Sequence, residues 1–346
     1  MTAPSAVSII VPVYNGGKNW SRCLDALGAL NPPPLEIIVV DDGSTDASAD
    51  AAAPRGFIVV HTDQPQSGPA RARNLGAAYA HGDILFFVDA DVLVYPDAVA
   101  RVTRALSDTS ISAIFGSYDD TPDDSSFVSR YKNLMHHFVH QHSRTEANTF
   151  WAGCGAIRRE TFRQLGGFSS EYSRPSIEDI ELGIRLARQG GQIRLVKDLQ
   201  VKHLKRWTWR SLFITDIRDR ALPWAQLIVR DRQLPADLNL QPAHRISAGL
   251  CWLLVLTIAA ALFVPLFWLA VLCISAVLVV LNFNLYRFFF DKRGLWFAFG
   301  AIPLHWFYYL YSSAAFAWVV LTNPLKHTER VNLPPRQDAL EQNVTK

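Results

Sequence analysis

The stretch Gly82-Asp83-Ile84-Leu85-Phe86-Phe87-Val88-Asp89-Ala90-Asp91 decides how the rest of the chain reads. Five consecutive apolar residues, Ile84 to Val88, rich in branched and aromatic side chains, predict a strand buried on both faces. Two carboxylates then follow one residue apart, where such a strand would leave the core. Ligands of open α/β sheets bind beyond the carboxyl ends of the strands. Asp89 and Asp91 at that edge would offer hard oxygen ligands to a divalent cation that also grips a diphosphate. An Asp-x-Asp pair alone is common on solvated loops; its position after this strand makes it informative.

The flanking sequence repeats the pattern. Val7 to Tyr14 predicts a strand, Asn15-Gly16-Gly17 a turn, and Trp20 to Leu30 a helix with Cys23, Leu24, Leu27 and Leu30 at helical spacing. Pro32, Pro33 and Pro34 end that helix. Glu36 to Val40 is a second buried strand, closing on Asp41-Asp42-Gly43-Ser44-Thr45-Asp46, and Phe57 to Val60 a third. Ser67 to Ala80 reads as a loop and helix. Strands alternating with helices over short loops predict an α/β domain whose sheet is mostly parallel and flanked by helices. No GxGxxG follows the first strand and no GxxxxGK[ST] occurs, which disfavours nicotinamide, flavin and P-loop enzymes.

Composition narrows the class. The 346 residues suggest two or three units. A net charge of +3, with no basic cluster interleaved with aromatics, excludes nucleic acid as a partner. Cys23, Cys154, Cys251 and Cys273 show no metal-ligand spacing and read as core or membrane thiols in a reducing compartment. The chain passes from a short polar leader straight into its first strand, so the amino-terminal domain is expected in the cytosol.

Asp41 and Asp42 carry two readings. They form a polar turn before a helix, or one of them accepts a hydrogen bond from a nucleotide base or ribose. Arg71 and Arg73 could meet a base or phosphate at the same edge. Val7–Tyr14, Val39-Val40-Asp41-Asp42-Gly43-Ser44-Thr45-Asp46, Ala72-Arg73-Asn74-x-Gly76 and Asp89-Ala90-Asp91, in this order, resemble the family-2 glycosyltransferases over roughly residues 5 to 210. The resemblance implies the GT-A fold, a nucleotide-diphosphate sugar as donor, a divalent metal (Mg2+ or Mn2+) and transfer with inversion. It implies that Pro12, Tyr14, Asp41 or Asp42, and Arg73 line the nucleotide, and that Asp89 and Asp91 hold ribose and metal. A UDP-sugar is the favoured donor.

Further along, Phe127 to His142 predicts a helix carrying four histidines. His136 and His140 sit at i, i+4 without the carboxylate of an HExxH motif, so a half-buried helix near the acceptor cleft is preferred to a zinc site. Phe150-Trp151-Ala152-Gly153-Cys154-Gly155-Ala156 lets backbone approach a ligand while a ring packs on a sugar, and by resemblance Trp151 and Gly153 line the acceptor side. Ser176-Ile177-Glu178-Asp179 suits a helix start. Inverting transfer also needs one base aimed at the acceptor hydroxyl. By resemblance that base is Asp179, with Glu178 binding acceptor or orienting the base. Lys202-His203-Leu204-Lys205-Arg206-Trp207 resembles the QxxRW segment of processive relatives, with His203 where Gln is expected. Arg206 would neutralise the departing diphosphate, Trp207 would floor the acceptor site, and His203 could complete the metal shell. Alternatively Arg206 and Trp207 anchor the chain at a lipid interface.

The remaining chain reads as membrane-bound. Residues 1–205 form the catalytic domain, 206–245 amphipathic interfacial helices broken by Pro223 with a polar linker from Leu234 to Pro242, 246–325 transmembrane helices, and 326–346 a polar tail. Between Ile246 and Tyr286 no side chain is charged, about forty residues against the ~20 that cross a bilayer. Three spans are expected, a hairpin 247–264/266–285 around Pro265 and a third at 295–322, with Asp291 to Gly294 a loop. His244-Arg245 and Lys292-Arg293 then face the cytosol, leaving Lys326 and Arg330 outside. The expectation is an integral inner (plasma) membrane protein of the cell envelope. It would transfer sugar at the cytosolic face to a lipid-linked or saccharide acceptor among membrane lipids. A processive polysaccharide synthase and a non-catalytic nucleotide-sugar-binding scaffold are the alternatives.

Overall fold

The computed structural model describes residues 6–231 and 242–322. Nine strands form one sheet: β1 (Val7–Val13), β2 (Glu36–Asp41), β3 (Ile58–His61), β4 (Ile84–Val88), β5 (Val92–Val94), β6 (Ile111–Tyr118), β7 (Glu146–Ala147), β8 (Cys154–Arg158) and β9 (Gln192–His203). The order across the sheet is β3-β2-β1-β4-β8-β6-β9-β5, with β7 added on β9. β3, β2, β1 and β4 are mutually parallel. Beyond β4 the sheet becomes mixed: β8 runs antiparallel to both β4 and β6, β9 parallel to β6, and β5 and β7 antiparallel to β9. The mostly parallel sheet of the sequence reading therefore holds for the first half only. The reason is local: β8 starts at the edge where β4 ends, pairing Cys154 with Val88, so it must run backwards.

Alternation along the strands builds two cores. Ile9, Val11 and Phe86 face one layer with Trp20, Leu24 and Leu27. Ile10, Ile38, Val40 and Phe87 face the other, with Ala70, Ala72, Leu182 and Leu186. Phe87 packs on Phe168 and Phe162 with ring centroids 5.1 and 5.4 Å away, and each such buried ring stabilises the fold by about 2–3 kcal/mol. The helix Pro69–Tyr79 lies so close to the sheet that a Cβ on Gly76 would sit 2.5 Å from Ile10.

The C-terminal helices dock on the domain. Tyr131 and Leu134, from Phe127–His142, pack with Trp207, Leu285, Phe289 and Phe297. The segment expected to break at Pro223 does not break. Trp209–Ile214, a π-helical turn Thr215–Ala221 and Leu222–Asp231 run on continuously, because the wide turn accommodates a residue with no N–H to donate. Among the described residues one helix, Pro242–Ala261, is long and apolar enough to cross a membrane, and Phe267–Leu281 with Phe283–Arg293 passes only as a pair bent by 72°. At 15 residues, Phe267–Leu281 spans only ~22 Å of a ~30 Å hydrocarbon layer. Leu295–Thr322 has the length, 28 residues, but His305, Tyr308, Tyr309, Tyr311, Ser312 and Ser313 make it less apolar. Against the three spans expected, one helix among the described residues has the length and composition of a span, or two counting the bent pair. Asp291 to Arg293, expected in a loop, close the helix Phe283–Arg293. The polar linker, save Pro242, and the tail, with Lys326 and Arg330, lie outside the described residues.

Candidate active site

A cleft of about 1800 Å³ opens along the carboxyl edge of β1 and β4 and continues towards the C-terminal helices. Asp89, Asp91 and Asp179 all line it, as do Pro12, Tyr14, Asp42, Arg73, Trp151, His203 and Trp207. β4 delivers Asp89 at its end, where the Asp89 N–H donates to the Gly153 carbonyl at 3.2 Å. The antiparallel return of β8 therefore puts the Trp151 loop at this edge. Gly153 itself does not face the cleft, contrary to the sequence reading. A Cβ there would meet the Trp151 ring at 2.7 Å, so the glycine lets that indole fold over.

Arg73 ties the two halves of the site. Its guanidinium, buried, donates to Asp89 Oδ1 at 2.7 Å and to Glu178 Oε1 at 2.9 Å. Glu178 spends its other oxygen on the Ser176 N–H at 2.8 Å and is 4% exposed. Both of its oxygens are engaged inside the protein, where it holds Arg73 beside the start of helix Glu178–Arg188. Asp179 Oδ1 accepts from the Ile180 N–H at 2.8 Å and Oδ2 from the Ala152 N–H at 3.0 Å. Burial, then the neighbouring Glu178 charge, push the Asp179 carboxyl up to about 7, against the pull of Arg73. Such a value suits a proton acceptor near neutral pH.

On the other side, pairing of Val92 with His203 brings the end of β9 beside Asp91. His203 Nε2 lies 3.5 Å from Asp91 Oδ2, and its ring stacks on Tyr118 at 4.2 Å. Desolvation within the cleft raises Asp91, although its side chain keeps 44% of its exposure, but His203 and Lys205 more than offset this and hold it below the usual range; desolvation with the Asp91 charge pushes Asp89 up, despite Arg73. Two ligands of one octahedral ion stand ~3 Å apart. The Asp91–His203 pair, a carboxylate 44% exposed with an imidazole fixed behind it, fits a divalent cation as a partial shell. No group of three metal-ligating side chains occurs among the described residues, His136 and His140 included. Instead His137 and His140 face the carbonyls of Tyr118 and Gly116 through Nδ1 at 2.6 and 3.1 Å, tying their helix to β6.

The end of the cleft expected to take the nucleotide is less uniform. Tyr14 accepts from Gln66 Nε2 at 2.7 Å across the cleft mouth. Asp42 reaches the cleft but is engaged by the Thr62 and Ser67 hydroxyls and the Ser67 and Gly68 N–H groups. Asp41 turns away, accepting from the Ser44 N–H and facing His61 Nδ1 at 3.2 Å. Arg71 points to solvent, since two residues along a helix turn a side chain to another face. Arg206 is a further correction: 73% exposed and 3.7 Å from Asp124, it does not line the cleft. Lys205 and Arg220 do, and neither forms a side-chain hydrogen bond or ion pair within 4 Å among the described residues. Lys205 lies over the Trp207 ring at 4.3 Å. Arg220 comes from the π-helical turn, for which the sequence carries no periodic signal.

With this geometry in hand, comparison with known proteins is specific. Residues 8–166 match the Glycosyl transferase family 2 domain, and residues 132–207 the N-terminal domain of galactosyltransferase. An uncharacterized glycosyltransferase YibD of Escherichia coli is 37% identical over 112 residues, 31% of this chain and 33% of that protein. The O-antigen chain rhamnosyltransferase RfbN of Salmonella typhimurium is 24% identical over 239 residues, 64% of this chain and 74% of that one. Several of the curated relatives are matched over only about a third of their length. A mannosyltransferase of Pyrobaculum calidifontis, solved with GDP-Man and Mn2+, shares the fold at a TM-score of 0.61 and 21% identity, over 92% of this chain and 88% of that one.

Proposed function

We propose, from the premise that this chain is a glycosyltransferase with a family-2 domain of GT-A fold, that it is a membrane-anchored inverting enzyme. It moves a sugar from a nucleotide diphosphate, a UDP-sugar by preference, to a lipid-linked or saccharide acceptor at the cytosolic face. The observation that carries this reading is the convergence of Asp89, Asp91 and Asp179 on one cleft, from segments ninety residues apart in sequence. Pro12, Tyr14 and Asp42 line the nucleotide end. Asp91 and His203 would hold a divalent cation, Mg2+ or Mn2+, which when bound neutralises charge on the diphosphate.

Asp179 takes the proton from the acceptor hydroxyl as its oxygen attacks the anomeric carbon on the face opposite the leaving group, which inverts the configuration. Arg73 keeps that base and the donor carboxylate Asp89 in register. Lys205 and Arg220 receive the negative charge that develops on the departing diphosphate, the task first given to Arg206. Trp151 and Trp207 wall the acceptor side. Exposed Leu256, Leu262, Phe263 and Trp296 support anchoring of the C-terminal helices in lipid. The test is incubation of the full chain with a panel of nucleotide sugars and Mn2+ or Mg2+, following donor loss and the anomeric configuration of the product. Retention of configuration, or no donor consumed, refutes the proposal.

A further inference from the structure

The cleft does not stop at Asp179. The same cavity runs past Trp224 and Arg220 to a slot between the helices Pro242–Ala261 and Leu295–Thr322, walled by Gly249, Trp252, Ser313 and Ala317. Polar groups along this slot are largely spent on one another. The Ser312 and Ser313 hydroxyls donate to the carbonyls of Tyr308 and Tyr309 at 2.7 and 2.6 Å, Trp252 Nε1 donates to Ser313 Oγ at 2.9 Å, and the Tyr309 hydroxyl donates to Asn282 Oδ1 at 2.8 Å. What they leave facing the void is mostly carbon, a poor wall for a free sugar and a good one for a hydrocarbon chain. The outer faces of both helices carry exposed Leu256, Trp318 and Leu321. A lipid could therefore pass from the bilayer into the slot without crossing water.

The chemistry at the inner end selects the head group. A phosphate monoester is an anion at neutral pH, its second pKa being about 6, and attacks without help. An alcohol is uncharged and needs its proton removed, which is what a carboxylate at the head of the slot supplies. We propose that the acceptor is an amphiphilic alcohol whose hydroxyl-bearing head reaches Asp179 while its apolar chain lies between Pro242–Ala261 and Leu295–Thr322. This rests on the transferase reading above. In the step, the hydroxyl oxygen bonds to the anomeric carbon, the carbon–oxygen bond to the diphosphate breaks with its electron pair leaving on the nucleotide, and the proton passes to Asp179.

The test uses the full chain in phospholipid nanodiscs with the donor it consumes. Acceptors are glucose, octyl and hexadecyl glucoside, and farnesyl phosphate. The expected result is transfer to hexadecyl glucoside at least tenfold faster than to glucose or farnesyl phosphate. A Cβ on Gly249 meets nothing within 4 Å, so Gly249→Leu and Gly249→Trp can fold while filling the slot. Both should lower the hexadecyl-to-octyl ratio, the larger one by tenfold or more, whereas Leu262→Trp on the lipid-facing side leaves it unchanged. Preference for farnesyl phosphate, equal use of free glucose, or a ratio indifferent to Gly249 overturns the inference. Donor hydrolysis without transfer to any alkyl glucoside sinks it alone; no donor turnover at all sinks the transferase reading, and this one with it.

Discussion

Replacing Asp179 by Asn keeps the side chain's size and one oxygen to accept a backbone N–H, at a cost of ~1 kcal/mol for the other N–H, but removes the proposed base and a costly half-buried charge. The two effects have opposite signs, and that makes the substitution diagnostic. Transfer should fall at least hundredfold, within the ~10²–10⁴ that a positioned base contributes. Stability should rise. The carboxyl stands at about 7 in the folded chain because of burial and Glu178, against ~3.9 unfolded. A folded value above the unfolded one means its contribution is fully present below pH ~4 and is lost as pH rises through ~7. Three units correspond to ~4 kcal/mol at pH 8, and water in the cleft screens this to ~2 kcal/mol. Wild-type transfer should climb with pH to a plateau above ~7, and the Asn variant should unfold at a higher temperature than wild type at pH 8.5 but not at pH 4.5. Thermal unfolding of the full chain in detergent at the two pH values, beside transfer rates from pH 5 to 9, decides the matter. An Asn variant with full activity refutes the base. An inactive variant with the wild-type dependence of stability on pH refutes the electrostatic account of why the base is poised.

Other perturbations separate neighbouring roles. Arg73→Met leaves Asp89 and Glu178 without their shared cation and should cost about 3–5 kcal/mol, seen as a fall of ~6 °C or more in apparent Tm; an unchanged Tm would show that the pair is dispensable. Asp91→Asn and His203→Ala should each weaken Mn2+ binding about tenfold or more, measured by electron paramagnetic resonance with nucleotide present, and equal affinity in the variants removes them from the shell. Arg206→Ala should leave kcat/KM within about twofold, while Lys205→Ala and Arg220→Ala lower it about tenfold, the size of one lost charge-assisted contact. The reverse ranking would restore Arg206 to the diphosphate.

How much of this was legible from residues follows from the distance over which each feature is determined. Strands β1, β2 and β4 announce themselves because a strand buried on both faces must be a continuous apolar run, and the edge position of Asp89 follows from where that run stops. Register between remote segments leaves no such trace. The pairing of Val92 with His203 sets the Asp91–His203 distance, yet nothing near either residue encodes it. The antiparallel return of β8 likewise turns Gly153 from an expected ligand contact into a support for Asp89.

The confusion of Arg206 with Lys205 has a sharper cause, because it turns on direction over a single residue. β9 ends at His203, whose ring stacks on Tyr118, and the Leu204 N–H then donates to the Asp91 carbonyl at 2.8 Å. That bond keeps the chain pinned beside Asp91 for one more residue, with Leu204 in the core. Lys205 is the first cation released on the cleft side, and its ammonium rests on the Trp207 ring. Arg206 follows on the opposite side and meets Asp124. A motif names the residue types, but which of two adjacent cations faces the diphosphate depends on where the strand lets go. Here that point is set by a backbone bond to Asp91, so Lys205 and the carboxylate proposed for the metal share one anchor. A Pro at 204 would delete that donor and should damage Mn2+ affinity and diphosphate recognition together, whereas Leu204→Ala, which keeps the N–H, should cost about 2–5 kcal/mol of stability with both functions retained. Loss of only one of the two functions in Leu204→Pro would break the link between them.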